Sequence, residues 1–184
     1  MRLGLVLLPD AAASDGCVRY AQALVVGRAP RAVLGAGALA HVTLLHVETD
    51  QDPELLWEEA RGALPAECRL DILALGLLRY DTPYNAPAAA PATMAWLIAA
   101  CSRALREAEQ AALSLPFVRR ARVTTANGEI FQPHVTLAIW DGETPPCATV
   151  LPKELFTSAS ARLALGVIGP NGVYERTLFA EPAG

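Results

Sequence analysis

The tetrapeptide His-Val-Thr-Leu occurs twice, at His41–Leu44 and at His134–Leu137, in a chain with only three histidines. Each copy sits in a run of strand-forming residues, LAHVTLLHVE and QPHVTLAIW, and the two histidines lie 93 positions apart (41 to 134), one in each half. Side chains alternate along a strand, so His41 and Thr43 share one face while Val42 and Leu44 share the other. The same holds for His134 and Thr136 against Val135 and Leu137. Two such strands near a pseudo-two-fold axis set two imidazoles and two hydroxyls around one small volume, with the apolar faces packed under helices.

The segments around the two motifs fit that arrangement. Arg2–Pro9 is an almost continuously apolar run of strand length. A helix is expected from a cap at Ser14 to about Gly27, with Cys17, Tyr20, Ala21 and Leu24 on one face, ended by Pro30. After the GAG loop at Gly35–Gly37, Ala40–Glu48 reads as a strand. Asp50 to about Leu64 reads as a helix with Leu55, Leu56 and Ala60 on its packing side. CRLDILALGLLRY and MAWLIAA are strands, and DTPYNAPAAAPAT, near 81–92, reads as the connection between two lobes.

Ser102 opens a helix to about Leu113 whose polar face holds Arg103, Arg106, Glu107 and Glu109. ANGE at Ala126–Glu129 is a turn ahead of the second motif, and ASARLALGVIGPNGVYERTLFAE reads as a hairpin turning at GPNG. Strands and helices mixed in this order give an α+β class, and 184 residues suit one domain.

A net charge of −4 argues against a broad surface for duplex DNA or an anionic membrane, although a pocket with a few donors can still take a small anion. No apolar run approaches the roughly 18 residues of a membrane span. The leading apolar run breaks at Pro9–Asp10, which reads as a first strand and not as a secretion signal. Cys17, Cys68, Cys101 and Cys147 are too scattered for a redox pair or a zinc knuckle, and mostly buried, reduced thiols of a cytoplasmic monomer are expected.

Two imidazoles and two hydroxyls suit hydrolysis of a phosphodiester. One imidazole takes a proton from the attacking water and the other protonates the departing oxygen, both feasible near neutral pH. The threonines donate hydrogen bonds to the non-bridging oxygens. Neither strand carries a carboxylate at the parity a metal site needs, so no metal and no cofactor are expected.

The paired motifs, their separation, the N-terminal strand and the Gly-rich terminal hairpin together resemble the two-histidine phosphoesterase superfamily, which includes 2′,5′ RNA ligase-like proteins and 2′,3′-cyclic phosphodiesterases. The lead-in Gln132–Pro133 is especially similar to that family's second motif. The resemblance implies a bilobal α+β fold in which two antiparallel sheets flank a central groove, with helices on the outer faces. It implies His41 and His134 as the acid/base pair and Thr43 and Thr136 as phosphate holders. The substrate implied is a small nucleotide or RNA-end phosphodiester. The acidic AIWDGE after the second motif departs from relatives that act on RNA, which sets long RNA in doubt. A nucleotide- or RNA-end-binding module with little turnover, or a 2′,5′ RNA ligase, are the competing readings.

Three further residues are candidates for holding substrate. Trp140 shares the strand parity of His134 and Thr136 and would offer a stacking platform, against the alternative of a buried strand-end tryptophan. Tyr174 corresponds loosely to an aromatic near the family's groove. Arg120, with Arg119 in FVRRARV, would steer phosphate unless that run is merely a solvated edge. His46 has the opposite parity to His41 and is expected to face away from the groove.

Overall fold

The computed structural model describes residues 1–27, 29–80, 92–125, 128–141, 155 and 158–182. The lobe connection expected near 81–92 and Cys147 fall wholly or mostly outside the described residues, as do Ala126 and Asn127 of the ANGE turn.

In chain order the elements are β1 (Arg2–Pro9), α1 (Ala11–Leu24), β2 (Ala32–Val33), β3 (Val42–Glu48), α2 (Pro53–Ala63), β4 (Glu67–Tyr80), β5 (Ala92–Ala99), α3 (Arg103–Ser114), β6 (Arg122–Val123), β7 (His134–Asp141), β8 (Ser158–Ile168) and β9 (Tyr174–Ala180). All pairings between strands are antiparallel. The fold is mixed α/β, with three α-helices among the described residues and one large sheet in the order β2-β7-β5-β4-β8-β1-β3-β6, β9 adding to β8.

Where two antiparallel sheets were expected, the strands join in one hydrogen-bonded path. β4 is the reason: its first residues, Glu67–Asp71, pair with β8, and its remainder pairs with β5. Fourteen residues give one strand the reach to belong to both halves. Although four strands separate β3 from β7 along the path, the two strands touch. The sheet therefore curls back on itself and sets the two His-Val-Thr-Leu strands beside each other.

Each motif strand is covered by the helix of the other half: α3 lies on β3 and α1 on β7. Their apolar faces supply the core, where Val42, Leu44, Val135 and Leu137 are almost fully buried. Burying such a side chain stabilises by about 1.5–3 kcal/mol.

Helix starts differ in detail from expectation. Asp10, not Ser14, caps α1, accepting from the Ala13 amide at 2.9 Å, while Ser14 donates to the Pro9 carbonyl from inside the first turn. An aspartate directly ahead of the helix has its oxygen within reach of the free amides, which a residue already in the helix does not. Asp52 and Ser102 cap α2 and α3 in the same way. On α2 the packing side is Leu56, Trp57 and Ala60, and Leu55 is exposed. Trp57 stacks on Phe179 with ring centroids 6.0 Å apart. Glu109, expected on a solvated face, is wholly buried and accepts from the Gly128 amide at 2.7 Å, tying α3 to the turn ahead of β7.

Both motif strands carry a β-bulge at the same place. On β3, Leu5 of β1 pairs with Leu45 and the next residue, Val6, with Thr43, so Leu44 is the extra residue. On β7, Ala95 of β5 pairs with Ala138 and Trp96 with Thr136, which makes Leu137 extra. In each case the bulged residue is the Leu of the tetrapeptide. A bulge reverses the alternation beyond it, and the consecutive buried pairs Leu44–Leu45 and Leu137–Ala138 are the result.

Candidate active site

A cavity of about 280 Å³ opens where the two motif strands meet, and His41, Thr43, His134 and Thr136 all line it. The volume lies at the small-ligand end of the range for binding pockets. Leu44, His46, Leu78, Met94, Trp96, Thr124, Thr125, Ile130, Gln132, Asn171 and Gly172 complete the lining.

The two motif imidazoles are held alike. The His41 Nδ1–H donates to the Leu39 carbonyl at 2.9 Å, and the His134 Nδ1–H donates to the Gln132 carbonyl at 2.8 Å. A carbonyl only accepts, so each bond fixes the proton of the neutral ring on Nδ1 and leaves Nε2 as the nitrogen that can accept or exchange a proton. Both partners lie two residues ahead of the ring on the same chain, so the strand backbone that carries each histidine also sets its tautomer.

Burial lowers the proton affinity of all three histidines. His41 is pushed down to about 4, chiefly by loss of solvent, with the bond to Leu39 opposing and the charge of His134 adding to the fall. His134 is also lowered by burial, with the Gln132 carbonyl opposing. His46 is pushed down to about 3 by burial and by the charges of His41 and His134. His134 is the more exposed of the two motif rings, and its protonation is what bears on His41.

His46 lies in the cavity and not behind it. The bulge at Leu44 turns it onto the face of Thr43, where its Nε2 lies 3.2 Å from the Thr43 hydroxyl. Gly4, its partner in the β1 register, provides the room: a Cβ there would meet the His46 ring at 3.2 Å and collide with Ile168. The equivalent hydroxyl on the other strand, Thr136 Oγ1, points instead to the Met94 sulfur at 3.9 Å.

The same geometry on β7 removes Trp140. The bulge at Leu137 turns it to the opposite face from His134 and Thr136, and it packs in the main core with 5% of its surface exposed. Strand parity alone misplaces both residues, because the alternation reverses between Thr and the following residues. The aromatic that does meet the site is Trp96 on β5, paired with Thr136 in register and stacked on the His134 ring at a centroid distance of 4.0 Å and an angle of 14°. Its signal in the sequence was confined to a strand without a motif.

Tyr174 is fully buried and does not line this cavity; its ring lies 5.3 Å from that of His41, and the two share the lining of a small adjoining pocket. Gly166 makes that seat, since a Cβ there would come 2.5 Å from the phenol. The Arg120 side chain is exposed and outside the lining; the structure fixes its backbone carbonyl, which accepts from Gln51 at 3.2 Å. Arg120 ends a short 3-10 turn, Pro116–Arg120. Asp141, the acidic residue after the second motif, pairs with Arg31.

Among the described residues no cluster of three His, Cys, Asp or Glu is placed to hold a metal ion. Cys17 and Cys68 are buried free thiols and Cys101 is an exposed one, none of them in the cavity. No helix among the described residues is long and apolar enough to cross a membrane.

No family model matches the sequence, and no curated protein matches it. Among solved structures the chain is similar to Usb1 of Kluyveromyces marxianus, at 14% identity and a TM-score of 0.49, with 96% of this chain and 97% of that chain covered.

Proposed function

We propose that this protein is a metal-independent phosphodiesterase of the two-histidine type, opening a 2′,3′-cyclic phosphate or a related 2′,5′-linked phosphodiester. The observation that carries the reading is the convergence of two imidazole–hydroxyl couples, from strands 93 positions apart (41 to 134), on one cavity. The matching Nδ1 bonds add to it, since each ring then offers Nε2 for proton transfer.

His41 is the base and His134 the acid. The more exposed ring protonates first, and its charge holds the other neutral, which is the split of roles a paired acid and base require. The His41 Nε2 takes a proton from water as the water oxygen bonds to phosphorus. The bond from phosphorus to the departing sugar oxygen breaks, and that oxygen takes the proton from the His134 Nε2. A phosphomonoester leaves, and exchange of protons with solvent resets the pair. Each proton transfer contributes about 10²–10⁴-fold.

Thr43 and Thr136 hold the non-bridging oxygens. His46 acts on Thr43: with its Nε2–H donating to the Thr43 oxygen, the hydroxyl proton is left for the phosphate. Thr136, whose partner is only a thioether sulfur, exchanges a weak bond for a strong one when phosphate enters.

Incubation with the four nucleoside 2′,3′-cyclic monophosphates and short 2′,5′-linked oligonucleotides, with and without EDTA, tests the reading by phosphorus NMR of the products. Turnover unaffected by EDTA, and reduced on the order of 100-fold or more by His41→Ala or His134→Ala, is expected. Tight nucleotide binding with no product across the panel would establish a binding module instead.

A further inference from the structure

We infer that the cavity is built for a phosphodiester bearing a single negative charge and a flat or apolar substituent, and not for an oligonucleotide end. This rests on the phosphodiesterase reading and narrows its substrate class.

Among the described residues that line the cavity, none is Lys, Arg, Asp or Glu. Two arginines of neighbouring segments are engaged elsewhere: Arg106 donates to the Gly128 carbonyl and lies over the Phe131 ring, and Arg122 pairs with Glu48. The positive charge that the described lining residues offer is that of one imidazolium, enough to match one phosphodiester. A second phosphate drawn into the same space would meet no Lys or Arg among the described lining residues, and an unmatched buried charge is strongly unfavourable. Proteins that follow a nucleic-acid backbone place several Lys or Arg along it, and their affinity falls steeply with salt.

One wall of the cavity is apolar. Leu78, Met94, Trp96 and Ile130 line it beside His134, with Ile130 72% exposed and Leu78 36% exposed. Trp96 and Leu78 come from adjacent strands, and α3 fixes the turn that carries Ile130 through the bonds of Glu109 and Arg106 to Gly128. A large side chain held at a cavity mouth and left in water is a surface for the uncharged part of a ligand. A planar ring laid along this wall places its phosphate toward His41 and His134.

Titration calorimetry of the intact protein with inert phosphodiesters separates the possibilities. Diphenyl phosphate is expected to bind at least about tenfold more tightly than dimethyl phosphate, the gain available from burying one ring. That preference should shrink to about threefold or less in Ile130→Ser, a change at an exposed position, and in Trp96→Ala. Binding of diphenyl phosphate should weaken by no more than about tenfold between 50 and 500 mM NaCl, as one charge contact allows. A 5′-phosphorylated dinucleotide should bind no better than its unphosphorylated form. Equal binding of the two simple diesters, or affinity that grows with the number of phosphates and collapses in salt, would overturn the inference. Diphenyl phosphate binding as expected while no cyclic phosphate is turned over would leave the substrate class standing and sink the hydrolase.

Discussion

Acid should destabilise this protein through its buried imidazoles, and His46→Leu isolates one of them. In an unfolded chain these rings titrate near 6.5, whereas in the fold burial pushes His41 down to about 4 and His46 to about 3. Below 6.5 the unfolded chain therefore binds protons that the folded chain refuses. The stability is fully present above 6.5 and is lost as pH falls toward the folded values. One pH unit corresponds to about 1.4 kcal/mol per group, so each ring costs about 2 kcal/mol between pH 6.5 and pH 5. The two together cost about 4 kcal/mol, a large part of the ~5–15 kcal/mol that holds a typical domain folded. Urea unfolding of both proteins at pH 7 and pH 5 reads the difference. The wild type should lose about 2 kcal/mol more than His46→Leu across that interval, whatever the variant loses at pH 7 through its missing bond to Thr43. Equal losses in the two proteins would refute the assignment of a buried, neutral His46.

Two further outcomes concern turnover. With His41 needed neutral and His134 needed protonated, and both held below the usual histidine range, kcat/KM for a cyclic phosphate should peak on the acid side of 6.5. Above that peak it should fall about tenfold per pH unit, and a maximum above pH 7 would contradict the depressed values. Trp96→Ala should raise KM by about threefold or more, as loss of a stacking face does, while Trp140→Phe leaves KM within about twofold; the reverse pattern in steady-state kinetics would mean that Trp140 and not Trp96 faces the ligand.

The element order and the pairing of His with Thr were legible because they follow from local pattern. Val42, Leu44, Val135 and Leu137 alternate with the polar positions of each motif, and the burial follows that alternation as far as the Leu. What lies beyond it was not legible. A bulge depends on the neighbouring strand, and neither HVTLLH nor HVTLAIW contains the Gly that would announce one. Parity counting therefore sent His46 outward and Trp140 inward, each to the wrong face, while Trp96, set by its register against β7, was passed over. Tyr174 and Arg120 are absent from the cavity lining for a different reason. Their positions depend on the seat made by Gly166 and on the 3-10 turn at Pro116–Arg120, neither of which has a period to read.

Nitrogen-15 NMR of the histidine rings during titration with inorganic phosphate, a product-like anion, tests the convergence of the two motifs most directly. Before addition, His41 and His134 should both show the proton on Nδ1, as their carbonyl partners require. On addition, the Nε2 signals of both rings should move together along one binding curve, and Thr43→Val should weaken that curve. Movement of a single ring, or two curves with different midpoints, would mean that the two strands do not serve one phosphate.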